Sequence, residues 1–158
     1  VTVAFAERTG GAPGRTRAEI EGTLRRYGAT AFLSGWDGWD IFVSFVIRGR
    51  RVLFRVPVKS PNDEKFAATP AGKSRTLTQA QAAYEQYVRA RWRALLLSIK
   101  AKLESAASGI EELDEAFMGQ IVINDGRRFY EFARLQIEDI IKGGPLALPP
   151  AKADRASG

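Results

Sequence analysis

The chain reads as an α+β fold: a helix, a three-stranded antiparallel meander, a long helix and a small helical C-terminal module. Three observations predict it. Segments 30–36, 39–48 and 51–58 alternate apolar and polar residues and are separated by short glycine-containing turns, as consecutive hairpins are. Upstream lies a segment with a helix-start signature. Downstream, apolar residues recur at three-and-four spacing from Tyr84 to Ala106, as on one buried helical face. Strands grouped together and flanked by helices imply helices packed on the apolar sheet face.

With 158 residues, the chain fits one domain, since domains cluster near ~100–150 residues. That length can bury on the order of two thirds of the surface its unfolded form exposes. The domain is expected over 1–145, with 15–107 as its core and 108–145 as the C-terminal helical module. The Pro/Ala-rich stretch 146–158 reads as a disordered tail. No internal repeat is visible.

Each element has a local reason. Residues 1–6 are expected to form a short strand and 9–14 read as a flexible Gly/Pro loop. Thr16 starts the first helix, with Glu19 completing a capping box. Ile20 and Leu24 point inward with Tyr27 beside them, and Gly28 ends the helix in a left-handed cap. In the meander, Asp37-Gly38 makes the first turn; Gly49-Arg50, or Arg48-Gly49, makes the second.

Alternation then puts Phe32, Ser34, Trp36, Trp39, Ile41, Val43, Phe45, Ile47, Val52, Phe54, Val56 and Val58 on the core face. Trp36 and Trp39 face each other across the turn as a core pair. The other face receives Leu33, Asp40, Phe42, Ser44, Val46, Arg48, Arg51, Leu53 and Arg55. Pro57 marks the third strand as an edge.

Residues 59–75 form a polar loop. The long helix runs from Thr78, capped with Gln81, to about Ala107. Its buried stripe holds Trp92. Arg89, Arg93 and Lys100 lie within about 40° of one another around its axis. Arg91 and Lys102 make a second basic line. Ser108 and Glu111 cap a short acidic helix through Phe117. A strand at 120–123, a turn at Asn124-Asp125-Gly126 and an amphipathic helix over Phe129–Lys142 follow, ending at Gly143.

The chain has no cysteine and no histidine. Disulfides, zinc ribbons, iron–sulfur clusters, thiol nucleophiles and imidazole bases are therefore excluded. Asp37, Asp40, Asp63 and Glu64 are the acids a metal nuclease would recruit. A turn and a loop account for them better, so neither metal site nor cofactor is expected. The stretch from Thr9 to Thr16 is glycine-rich before a helix, yet it lacks the Gly-Lys-Ser/Thr of a phosphate loop. No apolar run is long enough to span a membrane, and the start Val-Thr-Val-Ala-Phe-Ala-Glu lacks a charged signal-peptide head. A soluble protein of the bacterial cytoplasm is the expectation.

Charge is unevenly spread. Residues 1–100 carry 17 basic and 8 acidic side chains, net +9, while 101–158 carry 7 and 10, net −3. The window 48–59 holds Arg48, Arg50, Arg51, Arg55 and Lys59 and no acid. Single-stranded nucleic acid needs cations for its phosphates and flat apolar groups for its bases. Arg48, Arg51, Arg55 and Lys59 would take phosphates, Phe42 would stack, and Arg50 would stand at the turn. Arg89, Arg93 and Lys100 would extend the track if the long helix borders the sheet.

The segments 17–29, the Gly-Trp-Asp hairpin, 51–57 and 91–104 together resemble a family of small uncharacterised proteins encoded in bacteriophages and prophages. The resemblance covers residues 15–145 and implies a mobile-element origin without an assigned activity. The order helix, meander, long helix is also similar to the core of Rad52- and Erf-type single-strand annealing proteins, which form rings and lay DNA beside a sheet. Double-stranded RNA-binding domains share that order. The expectation is a non-enzymatic, phage-type nucleic-acid-binding protein that prefers single strands and serves annealing, replication or recombination. The alternative is a self-assembling or protein-binding factor, for example an inhibitor of a host defence protein.

Overall fold

A computed structural model describes residues 12–143 of the chain; the strand expected at 1–6 and the tail at 146–158 lie outside them. The architecture is the expected α+β order. Helix α1 (Ala12–Arg26) leads into β1 (Thr30–Asp37), β2 (Asp40–Ile47) and β3 (Arg50–Val56), an antiparallel sheet in the order β1-β2-β3. The short α2 (Glu64–Ala67), the long α3 (Leu77–Ala107), the one-turn α4 (Leu113–Ala116), a 3₁₀ turn at Met118–Gln120 and α5 (Phe129–Ile141) follow.

Helix α1 starts ahead of Thr16, so Thr16 and Glu19 lie inside it and form no cap. Glu19 instead accepts a hydrogen bond from Lys100 Nζ at 2.6 Å. Ile20 and Leu24 are buried, and Gly28 ends the helix with φ of 85°.

In the first hairpin Asp37 pairs with Asp40, so the turn is Gly38-Trp39, one residue later than expected. Gly38 adopts φ of 62° and takes the first turn position, where only glycine enters cheaply. The expected tryptophan pair therefore does not form. Trp36 sits opposite Ile41 and remains 36% exposed, while Trp39 lies in the turn. The second turn is Arg48-Gly49, both with positive φ (46° and 75°), and Ile47 pairs with Arg50. Arg48 is therefore a turn residue, and Arg50 starts β3 on the side of Ile47.

One sheet face carries Ile41, Val43, Phe45, Ile47, Val52 and Phe54 into the core against Tyr84, Val88, Trp92, Leu95, Leu96, Ile99 and Leu103 of α3. α1 packs beside α3 on the same layer. β3 ends at Val56, before Pro57. Val58 is still buried, its N–H donating to Asp40 Oδ1 at 3.1 Å.

The polar stretch after β3 is a built connection. Asp63 caps α2, Phe66 packs edge-on against Tyr84, and Arg75 Nη1 donates to the Ala68 carbonyl at 2.8 Å. α3 is capped by Thr76 with Gln79. The Thr-x-x-Gln pattern occurs in two overlapping copies, and the earlier one wins. Ser108 closes α3 by donating to the Glu104 carbonyl. The next capping box is therefore Glu112 with Glu115 rather than Ser108 with Glu111.

The C-terminal module is fastened to the sheet. Phe117 is 1% exposed and lies edge-on to Phe45 and Phe54, at ring distances of 6.0 and 6.3 Å. The expected strand at 120–123 is reduced to isolated bridges, Val52 to Ile121 and Val122 to Arg128.

Candidate nucleic-acid interface

Pairing fixes which side chains share the sheet face away from α3. Successive cross-strand rows are Gly35–Phe42–Arg55, Leu33–Ser44–Leu53 and, towards the Arg48-Gly49 turn, Val46–Arg51. Phe42, Ser44, Val46 and Leu53 are half-buried, Arg51 and Arg55 are exposed, and Leu33 is 60% exposed. A Cβ on Gly35 would come within 2.9 Å of the Phe42 ring. The ring thus lies over the glycine, in the gap that a side chain would otherwise fill. Arg51 and Arg55, four residues apart on one strand, stand about 13 Å from each other along it.

The expected phosphate ligands divide into two groups. Arg55 Nη1 reaches Asp37 at 2.6 Å across the sheet, and Lys59 Nζ reaches Asp63 at 3.1 Å. Arg50 makes two parallel hydrogen bonds to Asp114, each 2.8 Å, and Lys100 is held by Glu19. Arg48, Arg51, Arg89 and Arg93 have no ion pair among the described residues. Arg51 is tied by its backbone alone, its carbonyl accepting from Val122 N–H at 2.9 Å. The window without an acid in sequence is thus partly neutralised in space, by Asp37 from β1, Asp63 from the loop and Asp114 from the acidic module.

The helical stripe does not continue this face. α3 covers the core side of the sheet, so the sheet lies between Arg89, Arg93 and Lys100 and the row of Arg51 and Arg55. Lys100 and Arg93 stand by Glu19 of α1. The Lys100 hydrogen bond and charge hold the Glu19 carboxyl below its ordinary range, with Arg93 and Arg26 adding to the effect. Arg26 does not stand out in the sequence; its place at the end of α1, close to the buried Leu24, was the available signal. The second basic line is spent on structure: Arg91 donates to the Pro57 carbonyl and Lys102 to that of Ala116.

The bidentate bond from Arg50, reinforced by its charge, holds the Asp114 carboxyl below the usual aspartate range. A depressed folded-state pKa stabilises above the unfolded value, about pH 4, and that gain is lost as pH falls through the folded value. Asp114→Asn should therefore lower denaturant stability at neutral pH. The difference from the parent should disappear on acidification; a difference that persists unchanged below the ordinary aspartate range would show that Asp114 acts otherwise.

A depression of about 410 Å³ beside the second turn is lined by Arg48, Arg50, Glu112, Leu113 and Asp114. A wider one of about 560 Å³ lies between the α2 loop and α3, with Phe66, Pro70 and Tyr87 in its wall. Its cations are engaged: Lys65 lies over the Tyr87 ring at 4.3 Å and Arg75 bonds backbone carbonyls. Among the described residues no cluster of acids could hold a metal ion, and no helix is long and apolar enough to cross a membrane. Comparison with family models, with curated proteins and with solved structures finds no match for the chain.

Proposed function

We propose that the protein is a non-enzymatic nucleic-acid-binding protein that takes a single strand across the sheet face away from α3. One observation carries the reading: Arg51 is exposed and without an ion pair among the described residues, beside an apolar platform of Phe42, Leu53 and Leu33, with Arg48 at the adjoining turn. Cations for phosphates next to flat apolar groups for bases are what strand-tolerant binding requires. Arg55 and Lys59 would flank the strand, contributing once a phosphate competes with Asp37 or Asp63. Taken with the resemblance to phage proteins, the proposal is of work in a bacterial host's cytoplasm, in replication, recombination or annealing.

The test is a fluorescent oligonucleotide titrated with the full chain over a range of salt. Single strands should bind with a dissociation constant that rises steeply with salt, more tightly than a duplex of the same length. No binding below ~100 µM at low ionic strength would end the proposal, because phosphate contacts are strongest there.

A further inference from the structure

We propose that β1 is an assembly edge. A second copy of this chain adds to it antiparallel, about a two-fold axis through Ser34, and two three-stranded sheets become one continuous sheet. This goes beyond the nucleic-acid reading and does not depend on it. Among the described residues β1 is bonded along one side only, to β2, and the backbone hydrogen bonds made there outside the ladders include none from residues 30–37. Alternate N–H and C=O groups along β1 therefore face outward. The opposite sheet edge is treated differently, since Val122 closes onto Arg51 there. From Thr30 to Trp36 the strand has no charge and no proline, the usual protections of an edge. Its one irregularity is a bulge near its start, with Ala31 at φ of 53°.

Ser34 chooses the partner and the register. Its hydroxyl is buried in the middle of this edge and has no hydrogen-bond partner among the described residues. Directly opposed residues of an antiparallel pair lie on the same face, so a two-fold axis between identical strands passes through a residue. With the axis at Ser34, each hydroxyl meets its own copy and gains a donor and an acceptor, a pairing that cross-strand serines make. Trp36 then opposes Phe32 of the second copy, and Leu33 opposes Gly35, over which the Phe42 ring lies. Charge runs the same way along the strand: Arg26 and the Glu21-paired Arg25 precede β1, while the Arg55-paired Asp37 and Asp40 stand at its far end. Antiparallel addition brings the Arg26 end of each copy to the Asp40 end of the other.

The chain has no cysteine, so Ser34→Cys introduces a single, near-isosteric thiol. The full chain should sediment as a dimer, and oxidised Ser34→Cys should run as a disulfide-linked dimer. Ser98→Cys, exposed on α3, should not. Leu33→Lys, at a side chain already in solvent, should keep the parent's circular dichroism and raise the dimer dissociation constant at least tenfold. A monomer at about 100 µM, whether the edge is bare or covered by another segment of the same chain, overturns the proposal. So does a dimer that survives Leu33→Lys and shows no disulfide in oxidised Ser34→Cys, which would put the interface elsewhere, as on the apolar side of α5.

Discussion

Phe117→Ala is expected to cost about 3–5 kcal/mol of folding stability, the range for truncating a buried phenylalanine. Phe117 is 1% exposed and touches Phe45 and Phe54 edge-on. The rest of its module offers little to replace it. Among the described residues Ala116 is the other one buried there, and α5 has none. With the ring gone, the module keeps the partly buried Leu113 and Ile121, the hydrogen bonds of Lys102 to Ala116 and of Val122 to Arg51, and the Arg50–Asp114 pair. Being about half exposed on both sides, that pair is worth little by itself. The loss should therefore be concentrated at the C-terminal side. Hydrogen exchange at Val122, whose N–H donates to Arg51, should lose protection before amides of β2 do. Urea unfolding reads the magnitude. A loss below about 1 kcal/mol with Val122 still protected would mean that other contacts fasten the module.

What was legible in the sequence followed from periodicity. Ile41, Val43, Phe45 and Ile47 alternate without interruption, and Tyr84, Val88, Trp92 and Leu95 keep strict helical spacing, so each fell on the correct face. Turn positions were harder. Asp37-Gly38 and Gly38-Trp39 both place glycine in a two-residue turn, and only the backbone decides which position takes positive φ. That single step removed Trp39 from the strand and separated it from Trp36. Caps failed for a related reason: Thr76-Gln79 and Thr78-Gln81 satisfy the same spacing.

The candidate site was legible in its cations and not in their partners. Arg50, Arg55 and Lys59 look alike in sequence. Asp114, Asp37 and Asp63 reach them through the docking of α4, a diagonal across the sheet and a loop turn respectively. Phe117 carried a readable signal, since Leu113, Ala116 and Phe117 follow i, i+3, i+4 spacing. Its identity as the anchor of the module depends on a long-range contact with Phe45.

Replacing Arg48 and Arg51 together with Ala is expected to flatten the salt dependence of oligonucleotide binding. Each single-strand phosphate that a cation neutralises contributes about 0.7 to the slope of log affinity against log salt, so removing both arginines should reduce it by about 1.4. At low salt the affinity should fall by roughly tenfold or more per arginine, since a charge-assisted hydrogen bond is worth about 1.5–3 kcal/mol. Neither side chain is buried or ion-paired among the described residues, so the melting temperature should hardly move. Two comparisons give the experiment its direction. Arg50→Ala removes a guanidinium already committed to Asp114; it should loosen the C-terminal module and leave the slope alone. Arg89→Ala with Arg93→Ala removes equally unpaired cations from the far side of the sheet, and it too should leave the slope unchanged. If that helical pair flattens the slope while the Arg48 and Arg51 pair does not, the strand lies on the helical side of the sheet. The platform of Phe42 and Leu33 would then have to be given up as a nucleic-acid surface.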